Sequence, residues 1–173
     1  MEGVPRYKVR LLPHNPEWQE EYKIVKKELT SILNANIIQI EHVGSTAIPG
    51  IYAKPILDIA ILLKQLTPNN IKSLENLGYE YCGHKNHNDD YHLFVMRSLE
   101  NFSLRHLHIY ISPSIEFQEL VFFRDYLNQN PLARKKYQNL KQELAQKYPN
   151  NRELYTKGKE QFIKSIYKEL PKN

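Results

Sequence analysis

Residues 40–50, IEHVGSTAIPG, followed three positions later by residues 54–61, KPILDIAI, decide how this chain is read. Ile37 to Val43 is rich in β-branched residues and reads as a strand, Gly44-Ser45-Thr46 as a small-residue loop, Pro49-Gly50 as a turn, and Ile56 to Leu63 as a second buried strand. One carboxylate, Asp58, interrupts that second strand between Leu57 and Ile59. An ionised group in an apolar strand is costly unless it is paired, hydrogen-bonded or metal-bound, so Asp58 requires a partner. Gly44 lets the backbone approach a ligand closely, and the hydroxyls of Ser45 and Thr46 with neighbouring amides can hold a phosphate. Lys54 would add a cation to the same pocket. The plainer reading is a Gly-Ser turn between two core strands, with Asp58 capping a backbone amide; the loop and the strand aspartate together weigh modestly against it.

Outward from this stretch, Trp18, Tyr22, Val25, Leu29 and Ile32 recur at helical spacing and predict an amphipathic helix over residues 17–34. Tyr7 to Leu12 alternates like a short strand before Pro13 and Pro16. A short helix is expected over residues 68–77, stopped by Gly78, then strands at Tyr79 to Cys82, Tyr91 to Arg97 and Leu104 to Ser112. Past Pro113 the pattern is wholly helical: residues 114–129, a second helix opening at Asn130-Pro131, and a third after Pro149-Asn150-Asn151. The sum is α+β, a mixed sheet backed by helices over residues 1–113 and a helical subdomain over 114–173.

The chain has 173 residues with 24 Lys+Arg and 19 Asp+Glu, 41% hydrophobic and 25% charged. That suits a single domain and excludes a wholly disordered or collagen-like chain. Apolar runs are too short to cross a bilayer, the N-terminus lacks an apolar signal core, and a lone Cys82 excludes a disulfide framework or thiolate zinc cluster; a cytoplasmic protein with no membrane partner is expected. Residues 1–123 hold 12 basic and 14 acidic residues (net −2), residues 124–173 hold 12 and 5 (net +7). Such asymmetry marks either an anion-facing surface or merely solvated lysines. Most of the twelve tyrosines are expected in packing rather than on a base-stacking platform, and no aromatic-basic recognition motif points to nucleic acid.

His106 and His108 lie two apart on an expected strand and therefore share a face. Beside Asp58 they would give two nitrogens and one oxygen, a set suiting Zn²⁺ or Mn²⁺ better than Mg²⁺; alternatively both imidazoles bond to neighbours on an open sheet face. On the preceding strand alternation allows only one of Glu41 and His42 to face the pocket. The Gly83 to Asp90 loop, with His84, His87 and nearby His92, superficially resembles a metal tract but has the composition of a solvated turn.

The runs HVGSTAIPG and AKPILDIAI, followed in order by LRHLHIYIS, FRDYLNQNP, KKYQNLKQELA and YTKGKEQFI, resemble the pattern of the GrpB family across nearly the whole chain. The resemblance implies the fold of the DNA polymerase β-like nucleotidyltransferases; related domains also occur fused to some dephospho-coenzyme A kinases. In that superfamily a Gly-Ser pair opens the site and a strand about ten residues later supplies two metal-binding carboxylates one residue apart. Gly44-Ser45 matches, Asp58 takes the first position, and Ala60 stands in the second. The residues and the resemblance together give Asp58 and His108 as catalytic groups, Asp58, His106 and His108 on a divalent metal (Mg²⁺ or Mn²⁺, with Zn²⁺ as the third option), and Gly44, Ser45, Thr46, Lys54, Arg105, Arg124 and Lys141 around phosphate, although a regular strand would turn Arg105 to the side opposite His106. Arg152 and Lys159 match further polar positions of the pattern. The expected partner is a nucleotide or other phosphorylated small molecule, with nucleotidyl transfer to an acceptor as the activity. The alternative is a non-catalytic nucleotide or coenzyme A binding module, since Ala60 removes one metal carboxylate.

Overall fold

The computed structural model describes residues 1–85 and 88–171. Among these, the elements are β1 (Val4–Pro5), α1 (Glu17–Leu33), β2 (Ile37–Val43), β3 (Leu57–Leu63), α2 (Pro68–Asn76), β4 (Tyr79–Lys85), β5 (Asn88–Arg97), β6 (Phe102–Ile111), α3 (Ile115–Gln129), α4 (Pro131–Lys147) and α5 (Arg152–Tyr167). The fold is α+β, as expected. In α1 the residues Trp18, Tyr22, Val25, Leu29 and Leu33 are buried at helical spacing, and Asn34, at φ 40°, ends the helix. A capping box between Thr67 and Asn70 opens α2 at Pro68.

The sheet order is β2-β3-β6-β5-β4, with β1 beside the start of β6. β3 and β6 run parallel, placing Asp58 opposite His106 and Ala60 opposite His108. β2 lies antiparallel on the other side, with Val43 opposite Asp58 and Glu41 opposite Ala60. Alternation then divides the chemistry. Leu57, Ile59, Ile61 and Leu63 join Leu107, Ile109 and Phe94 in a core closed by Val25, Leu29 and Leu33 of α1 and Leu74 of α2. The opposite face carries Asp58, His106 and His108 and, beside them, an apolar cluster in which Val43, Ala60, Tyr91 and Tyr110 of the sheet meet Phe117 of α3. The C-terminal helices cluster through Phe123, Leu127, Tyr137 and Ile166, and they take in Ile48 and Ile51 from the β2–β3 connection. Those two residues fix the loop after Gly44 against the helices.

Two expectations are corrected. Residues 7–12 are not a strand: the Lys8 amide bonds back to Pro5, the Val9 amide bonds to the Pro149 carbonyl at 2.8 Å, and only Leu12 pairs, as an isolated bridge to Ala53. The expected loop from Gly83 is shorter, because β4 continues through Lys85, β5 begins at Asn88, and His84 pairs with His92; Asn86 and His87 lie outside the described residues. No described helix is long and apolar enough to cross a membrane.

Candidate metal and phosphate site

The register of β3 against β6 brings Asp58, His106 and His108 together. Asp58 Oδ1 accepts from His106 Nδ1 at 3.0 Å and from His108 Nε2 at 3.2 Å. Burial alone would raise the Asp58 carboxyl, but these two hydrogen bonds and the attraction of the rings outweigh it and hold the group well below the ordinary value. Burial lowers His106, with the pull of Asp58 opposing. Behind the pair, the Tyr91 hydroxyl is 2.8 Å from His108 Nδ1. A tyrosine hydroxyl donates or accepts, so it can support either tautomer of His108, including the one that turns the Nε2 lone pair outward. One ligand atom from each of the three residues lies within 4.8 Å of the others, so the set fits a divalent metal, and its N₂O composition suits Zn²⁺ or Mn²⁺.

Gly44 meets this carboxylate from the side. Its φ is +70°, and a Cβ placed there would stand 2.7 Å from Asp58 Oδ2. Only glycine allows both the backbone turn and the close approach. Thr46 is buried and its hydroxyl donates to the Ile56 carbonyl while bonding His42 Nε2 at 3.0 Å, so it anchors the loop. His42 points to the α1 side, stacked on Tyr22 and bonded to Gln19, with burial pushing its imidazole down to about 4 against the attraction of Asp58. Glu41 lies on the Asp58 face but is held by Arg124 at 2.7 Å.

A cavity of about 350 Å³ opens over Asp58, His106, His108, Gly44 and Ser45, and its far wall carries Lys54, Arg152 and Lys159. Lys54 comes from the β2–β3 connection; Arg152, Tyr155, Thr156 and Lys159 come from α5, spaced to share one helix face. The Tyr155 ring, buried, has Lys54 Nζ at 5.5 Å and Lys159 Nζ at 4.6 Å from its centroid. Among the described residues, none of the three cations lies within ion-pair distance of a carboxylate. Burial, then repulsion from Arg152 and Lys159, pushes Lys54 down to about 7; burial, opposed by Asp58 and reinforced by Arg152, pushes Lys159 down to about 8. Burial also lowers Arg152. A water-accessible space bounded by unpaired cations has the electrostatics of a polyanion site.

Three expected phosphate ligands lie elsewhere. Arg105 projects to the α1 side of β6 and pairs with Glu21 at 3.0 Å, because alternation opposes it to His106. Arg124 spends its guanidinium on Glu41, Asp125 and the His42 carbonyl. Lys141 is buried, bonded to the Tyr52 carbonyl over the Tyr137 ring, so it holds the β2–β3 connection to α4. Arg152 and Lys159, by contrast, do face the Gly44 to Asp58 segment. The signal for them was the Arg152, Thr156, Lys159 spacing on one helical face. Ala60 is fully buried in the apolar cluster, so the second carboxylate position is filled by packing.

The profile of the family described as GrpB protein matches residues 8–169. The chain belongs to the GrpB family. It is 36% identical over 174 residues to the Glutamate-rich protein GrpB of Alkalihalophilus pseudofirmus, covering 98% of this chain and 100% of that one. The crystal structure of conserved protein GrpB from Enterococcus faecalis superposes with a TM-score of 0.84 at 31% identity, over 92% of this chain and 96% of that one. Cid1 in complex with its short product ApU gives a TM-score of 0.54 at 11% identity, over 78% of this chain and 42% of Cid1. Cid1 poly(U) polymerase bound to MgATP gives 0.50 at 13% identity, over 75% and 45%. This GrpB chain therefore has a nucleotidyltransferase-like fold.

Proposed function

We propose that this GrpB chain binds the phosphates of a nucleotide between a metal-binding floor and a cationic wall, and transfers a nucleotidyl group to a hydroxyl-bearing acceptor. The observation that carries the reading is the convergence of Asp58, His106 and His108 opposite Lys54, Arg152 and Lys159 across one cavity. The fold shared with nucleotide-bound Cid1 supports it. A divalent metal at the triad would supply a Lewis acid for phosphate oxygens. Lys54, Lys159 and Arg152 would neutralise the triphosphate, Ser45 and the Gly44 turn would orient it, and Tyr91, bonded to His108 Nδ1, would fix the orientation of the His108 ring. In the reaction, the acceptor oxygen bonds to the α-phosphorus as the bond to pyrophosphate breaks, with the hydroxyl proton released to water. The test is incorporation of label from α-labelled nucleoside triphosphates into added alcohols with Mn²⁺, Zn²⁺ or Mg²⁺. Turnover should disappear with chelator, with Asp58→Asn and with His108→Ala; turnover surviving all three would sink the assignment.

Ala60 favours a second reading, a non-catalytic nucleotide or coenzyme A binding module, because its apolar surroundings leave no second carboxylate for another metal. Binding of a nucleoside triphosphate or coenzyme A that is indifferent to chelator, without turnover, would select it.

A further inference from the structure

The cavity is not closed on every side. A wider trough of about 770 Å³ runs beside it, and His106, Arg152 and Thr156 line both spaces. His106 and Arg152 thus stand as a shared partition. On its trough side the partition meets Arg6 from the segment after β1 and Arg97 from the end of β5. Arg97 pairs with Glu80 at 3.1 Å and donates to Ser103 Oγ at 3.0 Å, whereas Arg6 and Arg152 have no carboxylate within ion-pair distance among the described residues. Arg6 is exposed, with its guanidinium 5.6 Å from the Tyr7 ring, and Arg152 is half-buried. Three arginines from three separate parts of the chain therefore line one trough, and of the three only Arg97 has a carboxylate within ion-pair distance among the described residues. Burial weakens the protonated form of Arg152, the attraction of Asp58 opposes this, and repulsion from Arg97 and Arg6 adds to it. Like charges brought together in this way are relieved by an anion, and planar guanidinium groups match the oxygens of a phosphate in pairs.

We propose that Arg6 and Arg97, with Arg152 shared between the two spaces, form a second anion subsite beside the polyphosphate cavity that takes the phosphate of a small phosphorylated alcohol acting as the acceptor. The proposal rests on the transfer reading above for the word acceptor, but the subsite itself does not. Its position explains how two anionic substrates are kept apart: Lys54 and Lys159 hold one, Arg6 and Arg97 the other, and Arg152 touches both spaces. The acceptor's hydroxyl would then reach past His106 toward the Asp58 floor. A single phosphate suits the trough better than a nucleic acid backbone, because Glu80, Glu153 and Glu160 also line it and would repel a chain of phosphates laid along it.

The test uses the full chain and glycerol 3-phosphate as probe, titrated calorimetrically with and without saturating non-hydrolysable nucleoside triphosphate. Glycerol 3-phosphate should bind with the analogue present, and glycerol should not. Arg6→Ala and Arg97→Gln should each weaken that binding at least fivefold while leaving inorganic pyrophosphate affinity within twofold; Arg6, being exposed, gives a variant that keeps the fold. The affinity should fall with salt at the shallow slope of one phosphate contact. Three results would overturn the subsite: displacement of glycerol 3-phosphate by the analogue at one-to-one stoichiometry, unchanged affinity in both variants, or a 5′-phosphorylated RNA tetramer binding more than tenfold tighter with a steep salt slope. If phosphomonoester binds as expected but no label is transferred in any metal, the subsite stands and the transfer reading falls.

Discussion

Gly44 is the residue on which loop and carboxylate meet. Gly44→Ala forces a side chain into positive φ, at about 1–2 kcal/mol, and also drives a methyl against Asp58 Oδ2. The expected outcome is a lower Tm with Mn²⁺ or Zn²⁺ affinity reduced more than tenfold. Gly50→Ala is the control: its φ is +79° but nothing lies within 4 Å of the added Cβ, so it should lower Tm alone. Equal metal affinity in the two variants would dissociate Gly44 from the site. His42 makes a second residue-scale prediction. Its imidazole, 3% exposed, is depressed to about 4 from an ordinary 6.5, mainly by burial. The unfolded chain therefore takes up a proton that the folded chain refuses between those values, so this contribution is complete above pH 6.5 and is lost as pH falls toward 4. Wild-type stability should drop in that window more steeply than that of His42→Gln, by up to about 1.4 kcal/mol per pH unit. Matching denaturant midpoints for both proteins from pH 6.5 to 4 would refute it. Asp58, depressed rather than raised, loses its contribution only at lower pH, below 3.8.

At the scale of elements, the phosphate wall is made by α5 and the β2–β3 connection, and α5 sits tightly on α4: a Cβ on Gly158 would lie 2.5 Å from Leu144 Cδ2. Lys54 and Lys159, held near 7 and 8, are partly neutral at pH 8. A bound polyanion favours their protonated forms, so inorganic pyrophosphate should bind with net proton uptake, and its affinity should decline as pH rises from 7 to 9. Calorimetry at pH 8 in buffers of different ionisation enthalpy reads the proton number directly; a value of zero, or one unaltered in Lys54→Met and Lys159→Met, would contradict the assignment. The same two elements show what a sequence can convey. Asp58 in an apolar strand and His106 with His108 on one strand face were legible because strand alternation is local. That β3 and β6 are parallel neighbours was not, since pairing joins residues about fifty positions apart. Helix boundaries were legible from capping and apolar spacing, but which lysine faces the cavity depends on the roll of each helix against its neighbours. Lys141 and Lys159 look alike in sequence; one is fastened to the Tyr52 carbonyl and the other lines the cavity. Arg105 lies off the cavity for the reason that places its neighbour His106 on it, because adjacent strand residues face opposite ways.

For the molecule as a whole, the +7 of residues 124–173 divides among roles. Arg124 and Lys141 stabilise internal contacts, while Arg152 and Lys159 present charge to a cavity whose floor belongs to the net −2 portion. A ligand holding both a metal at Asp58 and phosphates at Lys159 would bridge the sheet and α5, which both line the cavity. Binding to the folded state adds RT ln(1 + [L]/Kd), about 2.7 kcal/mol at a hundredfold excess over Kd, and for a chain of this size a Tm rise of roughly 5–10 °C. Bridging has a sharper signature than Tm. With Mn²⁺ alone, amides that exchange by local opening should slow in β3 and β6; with Mn²⁺ and pyrophosphate together, those of α5 from Arg152 to Tyr167 should slow as well. Neither addition should slow the local opening of α2, on the far face of the sheet. In Asp58→Asn the Mn²⁺ effect should vanish while pyrophosphate still protects α5, and in Lys159→Met the reverse should hold. Protection of α5 by Mn²⁺ alone, or of α2 to the same degree as α5, would mean that the two walls do not share a ligand, and the charge of the C-terminal helices would return to being solvated surface.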